Sequence, residues 1–338
     1  MDVFQAPENF DRVFKQNLTA ILAQQSLGAF LLTCANAYSQ QALLKSMQDA
    51  VDAQYQQLQG LFQGGQLGIG SAEDQRVFQS LLDLGLDNLP VTERRQLGPW
   101  SVQYNTMRGF RPLRHASKAP VGLHVPFKPD DFHFNKPFIS KELFWQGEFQ
   151  GHGLAAYYNK FPFADYHLLW VPDREQEHSQ YQQQTYHHLI WALVDELSSA
   201  LPGFAVGFSS MGGCASVNHL HFQSYLGDRL SVERNCWRHN GGDEAYPLSV
   251  SVFHRPEDAW LLIQQFHAQN QPYNLLYTRD KIYCLPRLRQ GSIQLPEWSP
   301  GFAWREVCGE MLSVKREDYL CLSQQDIEAC LAQWRVDL

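Results

Sequence analysis

The sequence predicts an α+β fold with a largely antiparallel sheet, flanking helices and a helical amino-terminal segment. Three observations support this fold class. Apolar residues recur at helical spacing over residues 10–60, and short apolar segments separated by turn residues follow from about residue 76. Residues 273–286 have the pattern of a hairpin around Arg279-Asp280, and a hairpin joins antiparallel strands.

The amino-terminal helices are predicted from residues 10–60. Their apolar positions follow a helical period, and their many glutamines are expected on a solvated face. Five glycines within residues 60–74 predict a flexible connection after these helices. The apolar positions that define the period are Phe10, Val13, Phe14, Leu18, Ile21, Leu22, Leu43, Leu44, Met47, Val51 and Leu58.

The remaining elements are shorter. One helix is expected to end near Gly85, a long amphipathic helix covers residues 178–201 before Pro202-Gly203, and another helix begins at Pro256. Strands are expected at residues 99–105, 153–158, 166–171, 205–208, 215–224, 248–253, 273–278 and 281–286.

The composition is that of an ordinary globular protein. The chain has 338 residues, 44% of them hydrophobic, and this length is typical of about two domains. Its formal net charge of −8 makes nucleic acid an unexpected partner, although a local basic cluster could still hold a phosphate. Seven cysteines without a C-x-x-C pair argue against a disulfide framework or a cysteine-rich zinc site and for a reducing compartment.

The amino terminus, MDVFQAPENFDRVFKQ, has no basic start followed by an apolar run, so no signal peptide is expected. No apolar run approaches the roughly 18 residues of a membrane span. A cytoplasmic protein without a membrane partner is therefore the expectation.

The stretch ASVNHLHFQS places His219, His221 and Gln223 at every second position. On an extended strand they share one face. Three interpretations are open: a half-buried strand whose polar face meets water, a metal site shared by two imidazoles, or a nucleophile for phosphorus. The last uses an imidazole nitrogen that holds a phosphoryl group as a phosphoramidate. Gln is a poor third metal ligand, and no nearby Cys or acidic residue has suitable spacing.

The preceding segment FSSMGGCAS favours the phosphorus chemistry. Glycines Gly212 and Gly213 allow backbone N–H groups to approach a ligand, and Ser209, Ser210 and Ser216 offer hydroxyl donors. A loop of small residues that leads directly into the histidines is what a phosphate cradle beside a nucleophile requires.

The run SVNHLHFQ carries the pattern H-x-H-x-Q. It resembles the transferase (GalT-like) branch of the histidine-triad (HIT) superfamily, where Gln replaces the third His. The longer run GFSSMGGCASVNHLHFQSYL resembles the GDP-L-galactose/GDP-D-glucose phosphorylase family. The resemblance implies a HIT-like region over residues 76–338, in which two HIT-like halves are possible, preceded by the helical segment of residues 1–70.

Further segments carry the resemblance, first YYNKFPFADYHLLWVPD and YNTMRGFRPLR. YPLSVSVF, NQPYNLLYT and KIYCLPR resemble the later strands of the family, and GEMLSVKREDY resembles its final basic segment. The likeness runs in order from about residue 78 to the end of the chain and leaves the amino-terminal helices outside. The matching positions are Asn159, Pro162, His167 and Pro172 in the first segment and Asn105 and Arg108 in the second.

The sequence departs from the family pattern at two places. Ser209 stands where the motif has Asn, and Asp165-Tyr166 stand where it usually has Tyr-Gly. A serine has a short hydroxyl in place of a longer carboxamide, so a ribose or phosphate contact made there is altered. Both departures bear on the identity of the substrate more than on the chemistry.

The resemblance implies a phosphorolytic nucleotidyltransferase. His221 would attack the α-phosphorus of a nucleoside diphosphate-hexose, hexose 1-phosphate would leave, and inorganic phosphate would then take the nucleotide. Gln223 would hold a non-bridging oxygen, and His219 would fix the ring and backbone of His221. The implied substrate-binding residues are Ser209, Ser210, Gly212, Gly213, Ser216, Asn159, Asn105 and Arg108; no metal or cofactor is implied.

The expected substrate is GDP-D-glucose or GDP-L-galactose with phosphate, and a homodimer is possible. Two alternatives stay open. A dinucleoside tetraphosphate phosphorylase shares the pattern H-x-H-x-Q, and a nucleotide-binding regulator with weak turnover would keep the cradle.

Other polar residues have structural interpretations. His167 is favoured as a packed, hydrogen-bonded residue over a ligand contact. Arg108, Arg111 and Arg114 form a basic cluster that either holds phosphates or faces solvent. His187-His188 are expected at the surface of the long helix.

Overall fold

The computed structural model describes residues 1–65, 70–111 and 122–337. Helices α1–α10 of these residues are, in chain order, Pro7–Leu22, Leu27–Ala37, Gln41–Gln63, Ala72–Leu84, Thr106–Phe110, Gln184–Ala200, Pro256–Ala268, Trp304–Val307, Arg316–Cys321 and Gln324–Gln333. Strands β1–β11 are Glu93–Leu97, Trp100–Tyr104, Leu143–Phe149, His152–Tyr158, Leu168–Pro172, Phe204–Ser209, Phe222–Leu226, Ser251–Phe253, Tyr273–Thr278, Lys281–Pro286 and Glu310–Ser313.

The strands form two sheets. The larger has eight strands in the order β3-β4-β5-β7-β6-β9-β10-β8, and every neighbouring pair is antiparallel. The smaller has the order β1-β2-β11, with β11 parallel to β2. The prediction of an α+β fold with a largely antiparallel sheet is therefore confirmed.

The amino-terminal helices cover one face of the larger sheet. Apolar side chains three or four positions apart, such as Phe10, Phe14 and Leu18, place one side of α1 in the same hydrophobic cluster as the sheet. The Phe14 ring lies edge-on to Tyr158 of β4, with centroids 4.8 Å apart, and the Tyr158 hydroxyl donates to the Phe14 carbonyl. The amino-terminal segment therefore packs against the sheet, and the possible homodimer stays a prediction.

The glycine-rich connection is shorter than expected. Helix α3 continues through Gly60 to Gln63, and α4 already begins at Ala72, so both ends of residues 60–74 are helical. The side chains of Tyr55 and Leu58, within about a turn and a half before Gly60, are buried and hold that end of α3 against the core. Residues 66–69 lie outside the described ranges.

Three predicted elements begin at least three residues later than expected. Helix α6 starts at Gln184 instead of residue 178, because the buried side chains of Gln180 and Gln182 bond to the sheet region instead of lying on a helix surface. The strand predicted over residues 215–224 starts only at Phe222. The predicted strand over residues 248–253 is likewise reduced to β8.

The two faces of the larger sheet are distinct near β6, β7 and β9. Cross-strand partners share a face, and Gln223 pairs with Gly207 while Ser209 pairs with Asn274. A Cβ on Gly207 would lie 2.2 Å from Trp304, so the helix α8 packs directly on this face. Gln223 therefore lies on the face that α8 covers, whereas Phe208 and Phe222 on the other face share a hydrophobic cluster with side chains of α6 and α7.

Among the described helices, none is long and apolar enough to cross a membrane.

Candidate active site

His221 immediately precedes β7 and is 6% exposed. Its Nδ1 lies 2.8 Å from the carbonyl oxygen of His219. Because a carbonyl oxygen only accepts, Nδ1 carries the ring proton, and Nε2 keeps a lone pair. Burial lowers the pKa of His221 to about 4, so the ring is neutral near pH 7. A neutral imidazole with its lone pair on Nε2 is the form that attacks phosphorus.

The backbone of His221 is held by Gln180, whose side chain is buried. Oε1 of Gln180 accepts from the His221 N–H at 2.8 Å, and Nε2 donates to the carbonyls of His221 at 3.1 Å and Ser209 at 3.0 Å. These bonds replace strand pairing at His221, which is why β7 begins one residue later. One carboxamide therefore joins the end of β6 to the residue that precedes β7. The sequence did not single out Gln180, since it lay within a predicted helix.

His219 is fully buried and anchors the segment that carries Phe134. Its Nδ1 accepts the Phe134 N–H at 3.1 Å, and its ring lies 5.4 Å from Phe127 and 5.6 Å from Phe134 between centroids. Burial, with the nearby imidazoles of His221 and His133, lowers the pKa of His219 to about 3. The backbone carbonyl of His219 holds the His221 ring, while its imidazole fixes the neighbouring segment.

The side chain of Gln223 is oriented by His167. Nδ1 of His167 accepts the Phe163 N–H at 3.4 Å, so Nε2 carries the proton and donates to Oε1 of Gln223 at 3.2 Å. With its oxygen engaged, Gln223 is left with its NH₂ group as the donor for a ligand. Burial, with Arg108 nearby, holds the pKa of His167 well below its usual value. His167 is therefore packed and hydrogen-bonded, as the sequence favours, and also positions Gln223.

Asn105, Arg108 and Asn159 meet at the turn that precedes His167. Asn159 Oδ1 accepts the Phe161 N–H at 3.0 Å, and Arg108 Nη1 donates to the Phe161 carbonyl at 2.8 Å. Asn105 Nδ2 donates to the Pro162 carbonyl at 2.9 Å. The structure thus brings together segments about 55 positions apart, and these bonds use the side chains to shape the turn.

Ser209 and Ser210 are both buried, and both bond to β9. Ser209 Oγ accepts from Asn274 Nδ2 at 2.8 Å. Ser210 Oγ accepts the Tyr273 N–H at 3.0 Å and donates to the Tyr273 carbonyl at 2.8 Å. The Ser210 hydroxyl therefore continues the pairing between β6 and β9 and fixes the start of the loop.

The two glycines of the loop are required by close approach. Gly212 has φ +80°, and a Cβ there would lie 2.6 Å from Nη1 of Arg289. A Cβ on Gly213 would lie 2.6 Å from the Tyr273 carbonyl oxygen. Ser216 is exposed, so its hydroxyl is accessible beside the loop.

Two further expectations have different outcomes. His187 is fully buried, so its predicted surface location is wrong: Nδ1 accepts from the Tyr277 hydroxyl at 2.7 Å and Nε2–H donates to the Pro256 carbonyl at 2.9 Å. A helical period alone does not show that the face carrying His187 meets β9. Arg111 is half-buried, and Arg114 lies outside the described residues.

Among the described residues, no third metal ligand joins His219 and His221. Within residues 1–65, 70–111 and 122–337, no group of three His, Cys, Asp or Glu side chains is placed to hold a metal ion. Both Nδ1 atoms of His219 and His221 are engaged by backbone groups.

The buried and half-buried histidines predict loss of stability in acid. His187 and His267 have pKa values lowered to about 4 by burial, like that of His221, whereas an imidazole in the unfolded chain titrates near about 6.5. The unfolded chain therefore binds more protons between these values, and the free energy of unfolding falls as pH drops from about 6.5 towards 4. Urea denaturation at a series of pH values measures this slope. His187→Gln should reduce it by about one proton; an unchanged free energy between pH 7 and 5 would contradict the assignment.

The comparisons with known proteins match the part of the chain that contains the H-x-H-x-Q region. The family model described as GDPGP1-like, N-terminal domain, matches residues 100–225, which include His219, His221 and Gln223. GDP-D-glucose phosphorylase 1 of Danio rerio is 35% identical over 134 residues, 39% of this chain and 38% of that protein. The Bos taurus protein of the same name is 32% identical over 172 residues, 48% of this chain and 43% of that protein. The chain thus spans about two fifths of the length of these curated relatives.

The fold is similar to that of yeast Ap4A phosphorylase Apa2. The crystal structure of that protein has a TM-score of 0.50 and 15% sequence identity, and the match covers 79% of this chain and 96% of that one. The predicted α+β fold is therefore confirmed, and it is shared with that protein. The resemblance to the GDP-hexose phosphorylase family is confirmed as well, and the family model places it within residues 100–225.

Proposed function

We propose that the protein is a nucleotidyltransferase that cleaves a GDP-hexose, GDP-D-glucose or GDP-L-galactose, with inorganic phosphate to GDP and hexose 1-phosphate. The observation that carries the proposal is the tautomer of His221. Its Nδ1–H donates to the His219 carbonyl and leaves Nε2 unprotonated, and Gln180 joins the His221 backbone to that of Ser209 in the loop of residues 208–216. The names of the Danio rerio and Bos taurus relatives support the choice of substrate.

The reaction proceeds in two displacements. Nε2 of His221 attacks the α-phosphorus and forms a P–N bond, while the bond to the bridging oxygen breaks and hexose 1-phosphate leaves with the electron pair. An oxygen of inorganic phosphate then attacks the same phosphorus, and the P–N bond breaks with its electrons returning to Nε2. In the intermediate the ring is cationic, and the His219 carbonyl stabilises it through the Nδ1–H.

Gln223 favours transfer to phosphate over acid–base chemistry. Its NH₂ group, left free by the bond from His167 to Oε1, can donate to a non-bridging oxygen of the transferring group. A carboxamide cannot shuttle protons, but a phosphate leaving group is already acidic and needs little protonation. The absence of a third imidazole in the motif is therefore compatible with phosphorolysis.

The remaining predicted site residues have two kinds of role in this proposal. Ser216 is exposed, and Ser209 has its hydroxyl proton available. In this proposal both hydroxyl groups donate hydrogen bonds to the transferring phosphoryl group. The other members shape the turn and the loop through bonds or close contacts with the chain itself. They are Asn105, Arg108, Asn159, Ser210, Gly212 and Gly213.

A panel of nucleotide substrates tests the function. With phosphate present, GDP-D-glucose or GDP-L-galactose is expected to yield GDP and the hexose 1-phosphate, measured by ion-exchange chromatography. Other nucleoside diphosphate-hexoses and diadenosine tetraphosphate belong in the same panel. Turnover of the tetraphosphate alone would move the activity to the dinucleoside phosphorylase alternative. No product from any member, at high enzyme concentration, would contradict the proposal.

The homodimer and the cytoplasmic location stay predictions of the sequence.

A further inference from the structure

Asn274 lies on β9 outside every motif that the sequence singles out, and its side chain is fully buried. Its Nδ2 donates to Ser209 Oγ at 2.8 Å and to the Gly213 carbonyl at 2.9 Å. One NH₂ group thereby joins Ser209 to Gly213, four positions later. Among the described residues, Asn274 Oδ1 has no hydrogen-bond partner.

The register of the sheet fixes this arrangement. Ser209 and Asn274 are paired residues of β6 and β9, so their side chains lie on the same face. Gly207 is two positions before Ser209 on the same strand and pairs with Gln223. Asn274 therefore lies on the face that carries Gln223.

The bond to Ser209 also sets the direction of its hydroxyl. Because Ser209 Oγ accepts from Asn274, one lone pair is engaged and the hydroxyl proton is left for another acceptor. A phosphoryl oxygen beside His221 is such an acceptor. The main chain at Ser209 is held at the same time by Gln180, which donates to its carbonyl.

We propose that Asn274 is a positioning residue of the phosphoryl-transfer site: it closes the loop of residues 209–213 and directs the Ser209 hydroxyl at the transferring phosphoryl group. The inference rests on the proposed function and deepens it. The phosphoryl oxygens gain negative charge in the transition state, so a donor aimed at them affects the chemical step more than substrate binding.

Asn274→Asp tests the role with nearly the same shape, because an oxygen replaces the NH₂ donor and faces the Gly213 carbonyl and Ser209 Oγ. We expect kcat for GDP-hexose phosphorolysis to fall about 10- to 100-fold, with a change in KM of less than about threefold. Ser209→Ala should cause a similar loss of kcat. The double variant should be little worse than either single variant, because the two residues act through one hydroxyl.

Asn240→Asp is the matched control. Asn240 Nδ2 also bonds two backbone carbonyls, those of Val232 and Arg234, but it contacts β10 near Lys281. This variant should keep wild-type kcat. Thermal unfolding of each variant shows whether the protein is folded, and Ser209→Ala carries the test if Asn274→Asp does not fold.

The outcomes separate the two proposals. If the wild-type protein turns over no substrate of the panel, the proposed function fails. If the wild-type protein is active and folded Asn274→Asp keeps its kcat, or if the effects of Asn274→Asp and Ser209→Ala multiply, the positioning role of Asn274 is overturned.

Discussion

Replacement of His221 by Asn is expected to lower kcat for GDP-hexose phosphorolysis at least about 10³-fold. The substitution removes Nε2 and its lone pair, and the other imidazole of the motif, that of His219, uses its Nδ1 lone pair to accept the Phe134 N–H. An Asn side chain can still donate an N–H towards the His219 carbonyl, which His221 Nδ1 contacts at 2.8 Å. The fold should therefore persist, and steady-state kinetics with both substrates measures the loss.

His254→Asn is the control for this substitution. His254 is exposed and bonds to the Asp280 carbonyl at the hairpin between β9 and β10. Its replacement should leave kcat unchanged. If His221→Asn keeps more than about a tenth of the wild-type kcat, the nucleophile is another residue.

Gln180→Leu is expected to affect both stability and catalysis. It leaves three buried backbone groups without their partner: the N–H and carbonyl of His221 and the carbonyl of Ser209. Each buried group without a partner costs about 1–3 kcal/mol. We therefore expect the free energy of unfolding to fall by several kcal/mol. Since the His221 backbone also loses its alignment, kcat should fall about 10- to 100-fold. Urea denaturation and steady-state kinetics measure the two effects.

Gln182→Leu separates the two effects of Gln180. Gln182 belongs to the same segment and is equally buried, but its Nε2 donates to the Tyr277 hydroxyl and not to His221. Its replacement should lower stability while the folded protein keeps its kcat. Equal losses of kcat in the two leucine variants would show that Gln180 acts only through the general stability of the segment.

The sequence predicted the elements that local pattern decides. The hairpin of β9 and β10, the helix that begins at Pro256 and the helix that ends at Gly85 all depend on spacing and turn residues within a few positions. The late starts of α6 and β7 depend instead on Gln180, which bonds a backbone about 40 positions away. A contact of that range has no signal in a periodic pattern.

The site was predicted only in part, because its side chains are oriented by residues that are distant in sequence. Motif resemblance singled out His221, Gln223 and Asn159, but it does not show which atoms meet. The orientation of Gln223 by His167 needs the strand register, and the link from Asn274 to Ser209 needs the pairing of β6 with β9. Polar residues that hold backbone groups look, in sequence, like any other polar position.

The central claim is that His221 takes up the nucleotide covalently. The most direct test mixes the protein with GDP-hexose in the absence of phosphate, quenches at alkaline pH because phosphoramidates hydrolyse in acid, and measures the intact mass. The predicted result is an increase by one guanylyl group, the mass of guanosine monophosphate less one water, that peptide mapping places on His221 and that added phosphate removes. Turnover without such an adduct, or an adduct on another residue that persists in His221→Asn, would contradict it.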